Sequence, residues 1–167
     1  MIVREDLIGK EMKDTPFIMD WALFDRSPNG HFNTPATYPI YVTGLNVAHM
    51  LKNGGLAFYT DLAKKRSVLL YGCIDNSDGF YANRINKKYR SEINVPLRIR
   101  PDPGESTETY TRLELLFIKQ AEEQGLKQLK GHSKNPGIRV SMYNAMPLKG
   151  VQRLVEFMQQ FRKLHDT

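Results

Sequence analysis

From Ile138 onward, apolar residues occupy every second position. Ile138, Val140 and Met142 alternate with Arg139, Ser141 and Tyr143, which is the period of a strand buried on one face only. The same alternation runs through INVPLRIR, with Ile93, Val95, Leu97 and Ile99 on one side. Pro96 lies inside that run and cannot donate to a ladder, so it predicts an edge strand or a local irregularity. A shorter strand is expected over GFYANRI, residues 79–85, and another over Met1 to Arg4, which begins without a turn or a cap. Elsewhere the spacing turns helical. Ile40, Leu45, Val47, Ala48 and Leu51 predict a helix over residues 39–52 that stops at NGG, and Leu56, Tyr59, Leu62, Ala63, Leu69 and Leu70 predict a second that ends in DNSDG. Leu113, Leu116, Phe117 and Gln120 line a third helix, capped by Ser106 or Thr107 and stopped by Gly125. Val151, Leu154, Val155, Met158 and Phe161 give the apolar face of a last helix that starts at Pro147. From residue 79 the order is strand, strand, helix, strand, helix: an α+β unit with helices laid on a small, mostly antiparallel sheet. A ferredoxin-like binding module and the small domain of an enzyme both have such an order, so the polar positions must discriminate between them.

Ahead of the helices, residues 10–21 are weakly patterned around Pro16, and DRSPNGHFNTP, residues 25–35, is a polar loop rich in turn formers. With 167 residues, the chain can form one domain with a real core, or a small domain plus a piece of a larger one. The net charge of +6 is spread thinly, with its densest clusters at Lys64-Lys65-Arg66 and Lys87-Lys88. That scatter favours a small anionic ligand or plain solubility, and the aromatic residues do not interleave with the basic ones as nucleic-acid binders require. No nucleic-acid partner is expected. The single cysteine, Cys73, excludes an internal disulfide framework and sits among Leu69, Leu70 and Ile74 as a structural thiol. No secretory signal and no apolar run of bilayer length is found, so no membrane contact is expected and the default setting is cytoplasmic. His31, His49, His132 and His165 show no zinc spacing, and no metal is expected.

Two stretches carry candidate chemistry. In LKGHSKNPGIRVSMYN, Arg139 projects from the polar face of its strand, where its planar fork could hold a carboxylate or phosphate bidentately, or pair with a neighbouring helix, or face water. In FNTP, Asn33 and Thr34 could cap the helix that follows, or supply neutral donors to a phosphate from a turn held by Pro35.

Together FNTPATYPIYVTGL, IDNSDGFY with RSEINVPLRI, and LKGHSKNPGIRVSMYNAM resemble the C-terminal part of the phosphoserine aminotransferase family, pyridoxal-phosphate enzymes of the class V aminotransferases. IVREDLIG is similar to the strand and turn that follow that family's cofactor-binding lysine. The resemblance runs along essentially the whole chain. It implies the small domain of a fold-type I transferase that works as a homodimer, moving an amino group between glutamate and 3-phosphohydroxypyruvate in serine biosynthesis. Carried over by position, Asn33 and Thr34 would bind the phosphate of the partner subunit's cofactor, Arg139 the substrate carboxylate, and His132 the pocket for the substrate's phosphate. The family has an arginine directly after this histidine. Here Ser133 and then Lys134 follow, so Lys134 is a weaker candidate that brings charge without a fork. No lysine stands in the context of the Schiff-base residue, so no catalytic residue is expected in this chain, and the chain alone is expected to be inactive. The implied organisation is the last strand and interface loop of the large domain over residues 1–35, connecting helices over 36–72 and the small domain over 73–167. The alternative is a non-catalytic product that binds anionic ligands or pairs with a full-length subunit.

Overall fold

A computed structural model describes residues 2–100, 104, 106, 108–132 and 135–166. The chain divides into two units, Met1–Met50 and Leu51–Thr167.

In the first unit, short 3-10 turns at Glu5–Leu7, Phe17–Met19 and Pro28–Gly30 surround α1 (Trp21–Arg26), and α2 (Thr37–Lys52) begins within it. Asp20 caps α1, its carboxylate accepting from the Ala22 N–H at 2.8 Å. The strand expected over Met1 to Arg4 is not formed by residues 2–4. Extended backbone needs a partner for its polar groups, and here the chain turns at once, with Leu7 N–H donating to Arg4 O and the Arg4 guanidinium clamped on Asp6 at 2.8 and 2.9 Å. None of the residues of α2 is buried, so Ile40, Tyr41, Leu45 and Leu51 all stand exposed.

The second unit holds α3 (Gly55–Asp75), β1 (Tyr81–Ala82), β2 (Asn94–Ile99), α4 (Arg112–Glu123), β3 (Lys130–His132), β4 (Asn135–Ser141) and α5 (Leu148–His165). The strands form one antiparallel sheet in the order β1-β2-β4-β3. Val95, Leu97, Ile99, Ile138, Val140 and Met142 are buried on the face covered by helices, as the alternation requires. Phe80, Phe117, Phe157 and Phe161 fill that core, with Phe117 edge-on to Phe157 at 4.9 Å and to Phe161 at 5.1 Å. Tyr81 donates its hydroxyl to Met158 O at 2.9 Å, and burial pushes its pKa up, so it is a permanently neutral donor. Cys73 is half-buried, and burial raises its thiol pKa as well, against a smaller opposing pull from Arg162.

Of the two outcomes expected at Pro96, the structure has the local irregularity and not the edge: β2 is an inner strand whose ladder with β1 gives out before the proline. Met142 N–H donates to Ile93 O, so residues 93, 95 and 97 point their backbone groups at β4, and Pro96 points its missing N–H at β1. The β1 ladder stops at Ala82↔Arg98, one hydrogen-bonding position short of the proline, and Asn83 Nδ2 bonds Pro96 O at 2.5 Å instead. The expected cap of the third helix needs correction, because the helix starts later. Thr111 is the N-cap and forms a reciprocal box with Glu114, whereas Ser106 only receives the Glu108 N–H, and Thr107 lies outside the described residues. Of the basic cluster Lys64-Lys65-Arg66, Lys64 and Lys65 are exposed and Arg66 is not.

Arg66 is fully buried, and its Nη1 donates to Tyr143 O at 2.8 Å and Met146 O at 2.6 Å, tying α3 to the segment between β4 and α5. Its Nε and Nη2 are buried without a partner. Lysine would keep the charge but lose the fork, so Arg66→Lys is expected to lower stability by about 1–2 kcal/mol, read as a shift in the denaturant midpoint at unchanged slope. A midpoint that does not move would show that the two carbonyls are satisfied without Arg66.

Candidate functional site

With the apolar face of the sheet committed to the core, Asn94, Pro96, Arg98, Arg139 and Ser141 fall on the other face. Above them opens a cavity of about 380 Å³ whose wall includes Arg84, Pro96, Arg98, His132 and Arg139. Two glycines let the strands close beneath it. A Cβ on Gly137, whose φ is +116°, would come within 2.6 Å of Arg98 Cδ and 2.8 Å of Leu97 O. A Cβ on Gly131 would meet Gly137 O at 2.8 Å, so the β3–β4 hairpin can form only as tightly as it does with glycine there.

Arg139 is held at its backbone, the N–H donating to Leu129 O at 2.9 Å, while its side chain is exposed and makes no ion pair or hydrogen bond among the described residues. It also borders a second cavity, of about 650 Å³, with Lys127, Lys130, Tyr143 and Arg153. Lys130 there lies over the Tyr110 ring at 5.4 Å, and Arg153 is spent on Gln124 O at 2.7 Å. His132 ends β3, pairs in register with Asn135 and is exposed. The structure thus brings Arg139 and His132 to one cavity, on neighbouring strands. Lys134 and Ser133 lie outside the described residues.

Arg98 has a different employment. Its Nε and Nη2 bind both carboxylate oxygens of the fully buried Glu114, at 2.6 and 3.2 Å, and Nη2 also donates to Thr109 O at 2.8 Å. Glu114 accepts further from Ile99 N–H and Thr111 N–H. That pair, which joins β2 to α4, was missed in the sequence; the box spacing Thr-x-x-Glu in TRLE was the available signal for Glu114. Arg84, just past β1, was missed as well, with no local motif to mark it.

Asn33 and Thr34 belong to the first unit. Phe32 anchors their turn, edge-on to Phe17 at 5.1 Å and to Phe24 at 6.0 Å, and both polar side chains are exposed with no hydrogen bond among the described residues. Neither caps α2, so an amide and a hydroxyl stand available on an anchored turn. Among the described residues no group of three or more His, Cys, Asp or Glu side chains could hold a metal ion, and no helix is long and apolar enough to cross a membrane.

No family model matches the chain. The phosphoserine aminotransferase of Buchnera aphidicola subsp. Acyrthosiphon pisum (strain Tuc7) is 43% identical over 163 residues, covering 98% of this chain and 42% of that protein. The phosphoserine aminotransferase of Drosophila melanogaster is 42% identical over 163 residues, 98% of this chain and 43% of that protein. Among solved structures, a phosphoserine aminotransferase from Bacillus circulans subsp. alkalophilus superposes with a TM-score of 0.82 at 32% identity, over 97% of this chain and 42% of that one. A pyridoxal-phosphate-bound phosphoserine aminotransferase from Trichomonas vaginalis gives a TM-score of 0.76 at 32% identity, over 89% and 39%. The chain therefore spans less than half the length of the relatives it matches, and the match falls on their C-terminal part.

Proposed function

We propose that this chain, which is homologous to the C-terminal part of the phosphoserine aminotransferases, is the substrate-binding portion of a pyridoxal-phosphate-dependent enzyme that moves an amino group from glutamate to 3-phosphohydroxypyruvate, yielding 2-oxoglutarate and phosphoserine for serine biosynthesis. The observation that carries the reading is the shared cavity of Arg139 and His132 on the polar face of the sheet. In it Arg139 takes the substrate α-carboxylate bidentately, and His132, with Lys134 in support, faces the phosphate end.

Pyridoxal phosphate, when bound, supplies the aldehyde that receives the amino group and the ring that draws electrons from the reacting carbon. Asn33 and Thr34 fit its phosphate, since both are neutral donors without a competing partner on a turn fixed by the Phe17, Phe24 and Phe32 rings. They hold the phosphate of the partner subunit's cofactor in a homodimer. The exposed apolar residues of α2 support burial against further protein. The lysine and ring contacts belong to a large domain, of which residues 1–35 are the last part and interface loop; residues 36–72 connect it to a small domain over residues 73–167. The setting is cytoplasmic.

Assay of the cofactor-loaded protein that carries this chain, with glutamate and 3-phosphohydroxypyruvate, should give stoichiometric 2-oxoglutarate and phosphoserine; no product from that pair sinks the reading. Sharing of the site between subunits has its own test. A subunit with Asn33→Ala and Thr34→Ala, mixed with a subunit that lacks the cofactor-binding lysine, should recover activity that neither has alone. Absence of rescue at every mixing ratio would show that the two side chains serve their own subunit or none.

A further inference from the structure

Three arginines line the cavity of the sheet's polar face, and they are not equivalent. Arg98 is neutralised by buried Glu114. Arg84 and Arg139 make no ion pair or hydrogen bond among the described residues, so two permanent charges are left facing one concave space. Arg139 stands on β4 opposite Pro96 of β2, and Arg84 lies two residues past the end of β1, beyond the point where its ladder with β2 stops. Both arginines border the cavity, and Pro96, whose side chain is short, is part of the same wall.

The geometry points to Arg84 as the residue that grips the distal anion of the substrate. Arg139 and Arg84 both line the cavity, so a short molecule with an anionic group at each end neutralises both, and a molecule with one anionic group neutralises only one. Apart from Arg139, which takes the carboxylate, the segment from Lys130 to Ser141 has no arginine, so the fork for a phosphate oxygen pair comes from Arg84. Arg84 is thereby a specificity-determining residue. It selects a phosphorylated three-carbon amino acid over its unphosphorylated counterpart, while Arg139 is needed for both. This assignment rests on the transaminase reading.

The test compares O-phospho-L-serine with L-serine as amino donors in the cofactor-loaded holoenzyme, for the unsubstituted protein, Arg84→Ala and Arg84→Lys. Calorimetric binding of O-phospho-L-serine provides a readout independent of turnover. Loss of charge-assisted hydrogen bonds to the phosphate should raise both KM and Kd for O-phospho-L-serine by roughly 10- to 100-fold at little-changed kcat. L-serine kinetics should not move, and lysine should restore part of the loss. Equal losses on both donors, or no loss on either, overturn the assignment. Should the unsubstituted holoenzyme turn over O-phospho-L-serine while Arg84→Ala leaves its KM and Kd alone, Arg84 falls and the transaminase reading stands. Should O-phospho-L-serine be neither bound nor turned over, both fall.

Discussion

Arg139→Ala in the complete enzyme is expected to lower kcat/KM for every substrate that carries an α-carboxylate by about 30- to 5,000-fold, the equivalent of about 2–5 kcal/mol for removing one partner of a buried, hydrogen-bonded charge pair. The loss should fall on glutamate and phosphoserine alike, because both present that carboxylate. Stability should hardly change, since the side chain is exposed and makes no ion pair or hydrogen bond among the described residues. What secures the strand here is the backbone, through the Arg139 N–H to Leu129 O bond and the buried Ile138 and Val140 on either side. Arg139→Lys separates fork from charge: it should recover a minor part of the activity, because an ammonium cannot span both carboxylate oxygens in a plane. Steady-state kinetics with both half-reactions decide the matter, and unchanged kinetics in Arg139→Ala would remove the residue from the site.

The elements that could be read from the sequence are those whose period follows from burial on one side. The alternation at residues 93–99 and 138–142 and the stripes of α4 and α5 end on the expected faces, and so does that of α3 from Tyr59 onward, while Leu56 at its start is exposed. Where the deciding partner is distant in sequence, the reading was wrong or incomplete. Nothing local shows that a strand over Met1 to Arg4 lacks a neighbour, that Pro96 falls opposite the point where β1 gives out, or that Arg66, between exposed Lys65 and buried Ser67, reaches two carbonyls some eighty residues away. The short strand β3 was invisible because its three residues, Lys130 to His132, carry no alternation of their own and form only because Gly131 lets β4 fold back onto them. The candidate site divides the same way. Arg139 was legible as the lone cation on a polar strand face, and His132 through the resemblance. Arg84, past the end of β1, becomes a candidate only once the fold brings it to the cavity that Arg139 also lines.

The buried pair beneath the cavity should carry the largest stability effect in the second unit. Glu114→Ala removes an acceptor that serves Arg98 twice, the Ile99 N–H and the Thr111 N–H, and it breaks the capping box of α4. Leaving a largely buried guanidinium without its counter-charge costs about 3–5 kcal/mol, which for a chain of this size corresponds to a fall in Tm of roughly 6–20 °C. Glu114→Gln should cost less, because an amide oxygen still accepts while its NH2 group faces donors. The double variant Arg98→Met with Glu114→Leu should regain much of the loss, since two apolar side chains need no partners; a buried ion pair is more costly to break than to replace. A further consequence reaches the cavity. With Glu114 gone, Arg98 stands unneutralised beside Gly137, and the wall gains a third charge close to Arg139. Glu114→Ala should therefore bind small anions such as inorganic phosphate more tightly than the unsubstituted protein below its melting transition, whereas the apolar double variant should not. Thermal unfolding together with phosphate titration separates these effects. A loss of stability under about 1 kcal/mol in Glu114→Ala would mean that Arg98 is solvated in the folded protein and that the pair does not join β2 to α4.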